Sequence, residues 1–250
     1  MNFILKLLCV IALSQMNFAS PQAHAQPGEL VLRGEGNIRD ADALDDGVIF
    51  KISYEHTIKD GKAVSTRIRQ FDLNGTLLVD EFTAYTHEGR LKTYTMTQHQ
   101  TGESARVETK DQKVFMSFTK DGKTSTSNGQ LTENTAAPGS LMSYMSGFIN
   151  QIKAGQKIPV KLAVAERGML LGFEIAGRPE GCPKNDGDLC VNLAGGNIFL
   201  RTLVKPIFMS FQKSPDGYRP LVLETPAIVR RQSGKSLKKF TARIDYQRIR

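Results

Sequence analysis

Outside its first 25 residues the chain holds few side chains able to do chemistry: His56, His87 and His99, scattered carboxylates, and the cysteines Cys182 and Cys190. His87 and His99 bracket a Glu88-Gly89 turn, so a hairpin there places them on adjacent strands, and Glu81 completes the ligand types of a metal or acid–base cluster. Strand histidines are more often plain hydrogen-bonded side chains, and spacing alone does not assemble the three. His56 alternates onto one face with Phe50, Ile52 and Tyr54, where it either lines a cavity or is satisfied within the core. Asp40, Asp42, Asp45 and Asp46 before Gly47, and Asn185-Asp186-Gly187-Asp188, have calcium-loop composition but lack the alternating ligand positions and terminal Glu of that loop. The chain has no G-x-S-x-G elbow, no H-E-x-x-H, no P-loop and no G-x-G-x-x-G after a strand. The reading therefore leans away from catalysis and names no metal, no cofactor and no catalytic residue.

The compartment limits the chemistry further. Lys6 is a basic n-region, residues 7–13 form an apolar h-region, and Ala23-His24-Ala25 is a small-x-small cleavage site, so 1–25 is expected to be a removable signal peptide. Cys9 lies inside the apolar run without a small residue before it, unlike a lipoprotein acylation site. A periplasmic or secreted protein follows. In that oxidising setting Cys182 and Cys190, flanking a Pro/Asn/Asp/Gly loop, are expected to form a local disulfide.

The elements that must position these residues are mostly strands. Asp60-Gly61, Asn74-Gly75, Glu88-Gly89, Thr101-Gly102, Lys110-Asp111, Asp121-Gly122 and Asn128-Gly129 punctuate runs rich in Thr, Val, Ile, Tyr and Phe, the mark of an antiparallel meander. The runs 77–86 and 91–99 carry Thr, Gln and His on faces that a tight core would make apolar. A broad curved sheet with one partly open face accounts for that better than a packed sandwich. Residues 123–130 are polar enough for an edge strand. Ser140, an apolar spacing of three and four through Leu141, Met142, Tyr144, Met145, Phe148, Ile149 and Ile152, and Gly155 predict one helix of about 13–15 residues. Its Met142, Tyr144, Met145 and Phe148 are either core or a soft lid over a groove. Strands are expected again at 158–166, 169–176, 197–204, 207–212, 218–224 and 240–247. The expectation is a single β-rich domain over 26–250: a long-stranded curved antiparallel sheet, half-barrel or open barrel, with one amphipathic helix, and a β-sandwich as the alternative.

The net charge of +8 is concentrated at one end. Arg230, Arg231, Lys235, Lys238, Lys239, Arg243, Arg248 and Arg250 face only Asp245 over the last 24 residues, and the body is close to neutral. Such a segment is either a solvated strand face with a frayed end or a patch for anionic membranes and polymers. Nucleic acid is disfavoured as a partner for an exported protein, and the lack of Trp disfavours sugar stacking.

The order of features resembles a family of uncharacterised secreted bacterial β proteins, a domain of unknown function similar in appearance to periplasmic lipoprotein-carrier half-barrels. It rests on 48–54, Asp60-Gly61, Asp80-Glu81-Phe82, 98–103, Gly172-Phe173-Glu174, 206–211 and 216–221. The resemblance implies a long-stranded, highly curved sheet and brings no catalytic residue; the Cys182–Cys190 loop is not part of it. The functional expectation is a non-enzymatic envelope protein binding an apolar or lipid-like ligand, or a lipidated partner, in its concave face through Phe50, Ile52, Tyr54, His56, Met142, Tyr144, Met145 and Phe148. The alternatives are an assembly factor acting through its surface and basic C-terminus, and a hydrolase without a recognisable motif.

Overall fold

The computed structural model describes residues 29–248 except 179, 183–186, 215–216 and 235. The expected signal peptide, Lys235, Arg250 and most of the loop between the cysteines lie outside the described residues.

Strands β1 (Glu29–Asp40), β2 (Phe50–Lys59), β3 (Lys62–Phe71), β4 (Leu77–Tyr85), β5 (Leu91–Gln98), β6 (Glu103–Lys110), β7 (Lys113–Lys120) and β8 (Lys123–Gln130) form an up-and-down meander in which each pairs antiparallel with the next. Tight turns drive it. Asp60-Gly61 and Asp121-Gly122 both hold two consecutive positive φ values, the primed-turn geometry whose twist matches the flanking strands. The chain then passes through β9 (Thr135–Ala136), α1 (Leu141–Ser146) and α2 (Ile149–Lys153) into a second meander. That comprises β10 (Ile158–Val164), β11 (Met169–Gly177), β12 (Leu189–Gly195), α3 (Ile198–Leu203), β13 (Ile207–Ser214) and β14 (Gly217–Pro226). A small hairpin, β15 (Arg231–Ser233) and β16 (Ser236–Lys238), precedes β17 (Thr241–Arg248).

The last strand joins the two meanders. β17 lies between β1 and β14, antiparallel to both, so that one sheet of 15 strands runs from edge β8 to edge β9. The chain is mainly β with one continuous curved sheet, and the sandwich alternative is set aside. The sheet curls until Val114, Met116 and Phe118 of β7 pack against Ala163 of β10 and Ala165. Side chains alone make this seam; no ladder joins β8 to β9 or β10, so the barrel is not closed.

Antiparallel pairing gives the curl two ends. The first carries the β2–β3, β4–β5 and β6–β7 turns and the start of β1. The second carries the β3–β4, β5–β6 and β7–β8 turns, α3 and the segment 227–240. Residues 227–230 cross the second end to the opposite wall, where Arg230 N donates to Gln100 Oε1 (2.8 Å) and Gln100 Nε2 donates to Arg230 O (3.0 Å). Val229 of this strap is fully buried against Ile38, Val79 and Ile244. Helices α1 and α2 fill the concavity of the second meander, burying Leu141, Met145, Ile149 and Ile152 against β10–β13. On the convex face the disulfide Cys182–Cys190 pins the loop after β11 over Phe208 and Val222.

Two expectations change. The predicted strand at 197–204 is α3, because Asn197 caps it: Leu200 N donates to Asn197 Oδ1 at 2.8 Å, after a Gly195-Gly196 break. The single long helix is two short ones, interrupted at Gly147 and Phe148, and Ser140 Oγ turns back to Ala137 instead of capping α1. The strand expected at 240–247 is β17, and its place is central, between β1 and β14. Ile244→Ala, at a side chain 4% exposed in β17, is expected to lower the unfolding free energy by about 2–4 kcal/mol. The readout is a lower urea midpoint with an unchanged m-value.

Candidate functional site

Residues directly opposed in antiparallel strands share a face, so the registers map the concave wall in rows. Nearest the second end, Ile244, Ile38 and Phe50 form an apolar row. Tyr246, Gly36, Ile52, Gln70, Val79 and Gln98 follow. The third row is Gly34, Tyr54, Ile68, Glu81 and Met96. The fourth is Leu32, His56, Thr66, Thr83 and Tyr94, and the fifth is Leu30, Ile58 and Ala63 at the first end. The wall is thus apolar at the strap, polar in the middle and apolar again at the first end.

The third row holds an isolated carboxylic acid. Glu81 is 4% exposed and accepts one hydrogen bond, from Tyr94 OH at 2.8 Å. Burial pushes its carboxyl up to about 7; the Tyr94 hydrogen bond opposes the rise and the neighbouring Asp80 charge adds to it. Tyr54 lies across β1 because position 34 has no side chain: a Cβ there falls 2.1 Å from a ring carbon. Its ring meets Tyr246 edge-on at 5.6 Å.

In the fourth row, Thr66 Oγ1 is the centre of a hydroxyl network. It sits 2.8 Å from His56 Nδ1, 3.1 Å from Tyr85 OH and 3.3 Å from Ser143 Oγ. Ser143 comes from α1, so the helix plug touches the wall of the first meander as well as its own. Burial holds the imidazole of His56 below its ordinary pKa, against a hydrogen bond that the ring donates to the Ser65 backbone. Ser143 Oγ lies 3.5 Å from His56 Nδ1, but among the described residues no carboxylate bonds the ring in the way that orients the histidine of a hydrolytic triad.

The predicted ligand-binding residues do not form one pocket. Phe50 and Ile52 belong to the core under the strap, and Met145, at 0% exposed, is core of the second meander. Tyr54 and His56 are half-buried on the concave wall. Met142, Tyr144 and Phe148 are half-buried against the second meander's core, with Tyr144 OH donating to Pro159 O at 3.0 Å. His87 and His99 lie at opposite ends of the sheet, since β5 runs its full length between them. Among the described residues no group of three or more His, Cys, Asp or Glu is placed to hold a metal. Asp40 and Asp46 are not calcium ligands in this arrangement; both pair with Arg231, at 2.9 and 2.7 Å.

Much of the basic segment is matched internally. Arg230 pairs with the nearly buried Glu103 (3.4 Å), Lys239 with Glu166 (3.1 Å), and Arg243 with Glu224 and Asp245 (2.9 and 3.2 Å). Lys238 is exposed on β16, and Arg248 ends β17.

The residues that sequence reasoning missed sit mostly on β1. Leu30 and Leu32 have the parity of the buried Gly34, Gly36 and Ile38, so they face the concavity, yet they are 53% and 44% exposed. The apolar wall therefore continues past the plug. Beside it, a cleft of about 350 Å³ opens between the β2–β3 and β4–β5 turns, with Ala63 and Tyr85 on its walls. A second cleft of about 600 Å³, lined in part by Asp42, Lys205 and Glu224, lies at the other end. No helix among the described residues is long and apolar enough to cross a membrane.

Comparison with known proteins adds the fold. A solved structure described as a beta-barrel-like protein of domain of unknown function DUF1849, from Brucella abortus, superposes with a TM-score of 0.50 at 12% identity, over 88% of this chain and 96% of that one. This chain has that fold. No protein-family model matches it, and no curated protein matches it either. The barrel-like, incompletely closed sheet agrees with the curved-sheet expectation.

The buried acid has a thermodynamic signature. With its folded pKa raised from 4.5 to about 7, Glu81 keeps a proton that the unfolded chain releases. Its contribution is fully present below about pH 4.5 and is lost as pH rises through 7, by up to about 3 kcal/mol. Glu81→Gln is expected to remove that slope in chemical denaturation between pH 4.5 and 8. Equal slopes in variant and wild type would show that Glu81 is not the group responsible. Met145→Asp is expected to abolish folding by circular dichroism, and Met145→Leu to cost less than about 1.5 kcal/mol.

Proposed function

We propose that the protein is a non-enzymatic binding protein of the cell envelope that holds an apolar or lipid-like ligand on the first-end part of its concave face. One observation carries this reading: the inward-facing apolar row Leu30, Ile58 and Ala63, with Leu32 beside it, extends beyond the helix plug and is left partly open to solvent. Inward-facing leucines half exposed on a curved wall are matched by an apolar guest better than by water. Met145, Phe50 and Ile52 are scaffold in this reading, and Tyr54 and His56 border the site. The disulfide is consistent with an oxidising extracytoplasmic compartment.

The alternatives have less behind them. Recognition of anionic polymers through the C-terminus competes with ion pairs already made by Arg230, Arg231, Lys239 and Arg243. Hydrolysis by His56 and Ser143 has no carboxylate bonded to the imidazole among the described residues.

Native mass spectrometry of protein gently purified from its own envelope fraction, with lipid extraction of the same sample, tests the proposal. A reproducible bound acyl species is expected, reduced at least tenfold in Leu32→Asp, whose side chain is exposed enough to leave folding intact. Bare wild-type protein, or equal loading of the variant, would overturn it.

A further inference from the structure

The cleft at the first end is basic at its lip, and this bears on what the proposed ligand is. Lys59 and Lys62 close the β2–β3 hairpin and are direct register partners, so two like charges face each other at the turn. Both line the cleft, with Asp60 between them and His87 on the facing turn. Neither lysine is in an ion pair among the described residues, although Glu29 is the register partner of Lys59 on the β1 side. The contrast with the β7–β8 hairpin is instructive. There Lys120 and Lys123 oppose each other in the same Lys-Asp-Gly-Lys pattern, and Lys120 is paired with Glu103 at 2.9 Å. The lysines at the cleft have no such partner.

The cleft borders the apolar wall at Ala63. Ala63, one of its lining residues, is the register partner of Ile58, which is in turn the partner of Leu30. Tyr85 closes the inner side, its hydroxyl held by Thr66. One end of this path is cationic and open, and the rest is apolar.

We propose that the cleft of about 350 Å³ seats the anionic head group of a single-chain amphiphile, a carboxylate or a phosphate monoester, between Lys59 and Lys62, with the tail laid along Ala63, Ile58 and Leu30. This rests on the concave-face reading above and adds the charge of the ligand to it. Paired lysines attract an anion without requiring fork geometry, so both head groups fit the same lip.

Calorimetric titration of the mature protein with decanoate, decyl phosphate and decanol separates the two readings. At least one of the acids is expected to bind tenfold or more tightly than decanol, and a preference for phosphate or for carboxylate identifies the head group. Lys59→Gln with Lys62→Gln is expected to reduce acid binding to the level of decanol and to leave decanol unchanged. Lys110→Gln with Lys113→Gln removes a like pair from the β6–β7 turn at the same end, away from the cleft, and is expected to change nothing. Equal binding of decanol and both acids by wild type, or equal losses in the two double variants, overturns the head-group assignment while leaving the apolar site standing. Failure of all three probes to bind overturns the apolar site itself.

Discussion

A sheet that curls must fill the hollow it makes. Fifteen strands enclose more space than their own inward side chains can pack, and an unfilled apolar hollow forfeits the dispersion contacts that stabilise a core. Two segments outside the strands supply the missing volume. Helices α1 and α2 fill the second meander, and the strap at 227–230 fills the opening at the second end. The position of the open wall follows from where these two stop.

The polar middle of the concave face separates these fillings. Glu81, Tyr94, Thr66, Tyr85 and Ser143 lie between two apolar zones, largely satisfied by one another. Thr83 Oγ1 is an exception, buried without a partner against Gly139 and Tyr94. Such a belt costs stability relative to an all-apolar wall. In return, Ser143 bonded to Thr66 ties the plug to the first meander and fixes its depth, the kind of registration that directional hydrogen bonds provide and apolar contact does not.

The meander was legible because its turns were. Asp60-Gly61 and Asp121-Gly122 require positive φ, and the strands between such turns follow from alternation. β8 was legible as an edge from its polarity alone. β1 was not, since Gly34 and Gly36 interrupt its pattern for reasons visible only in three dimensions: a tyrosine ring lies over one of them, and Asp245 O and Ile52 crowd the other. α3 was missed because an apolar run of that length does not choose between helix and strand until its asparagine cap is seen. Of the site, Tyr54 and His56 were correctly placed on the inward face by parity. The network around Thr66 joins residues as much as 87 positions apart, and no local pattern encodes that. Charge counting located the basic segment but not its acidic partners, which are spread from Asp40 to Asp245.

The central place of β17 sets an order in time. Its neighbour β1 is the first described strand, so their pairing spans nearly all the described residues and waits for β17 to be made. Until then each meander exposes an unsatisfied edge, one on β1 and one on β14, the kind of surface that chaperones and proteases engage. Without β17 the two meanders share no ladder, and the edges of β1 and β14 that it covers stay open.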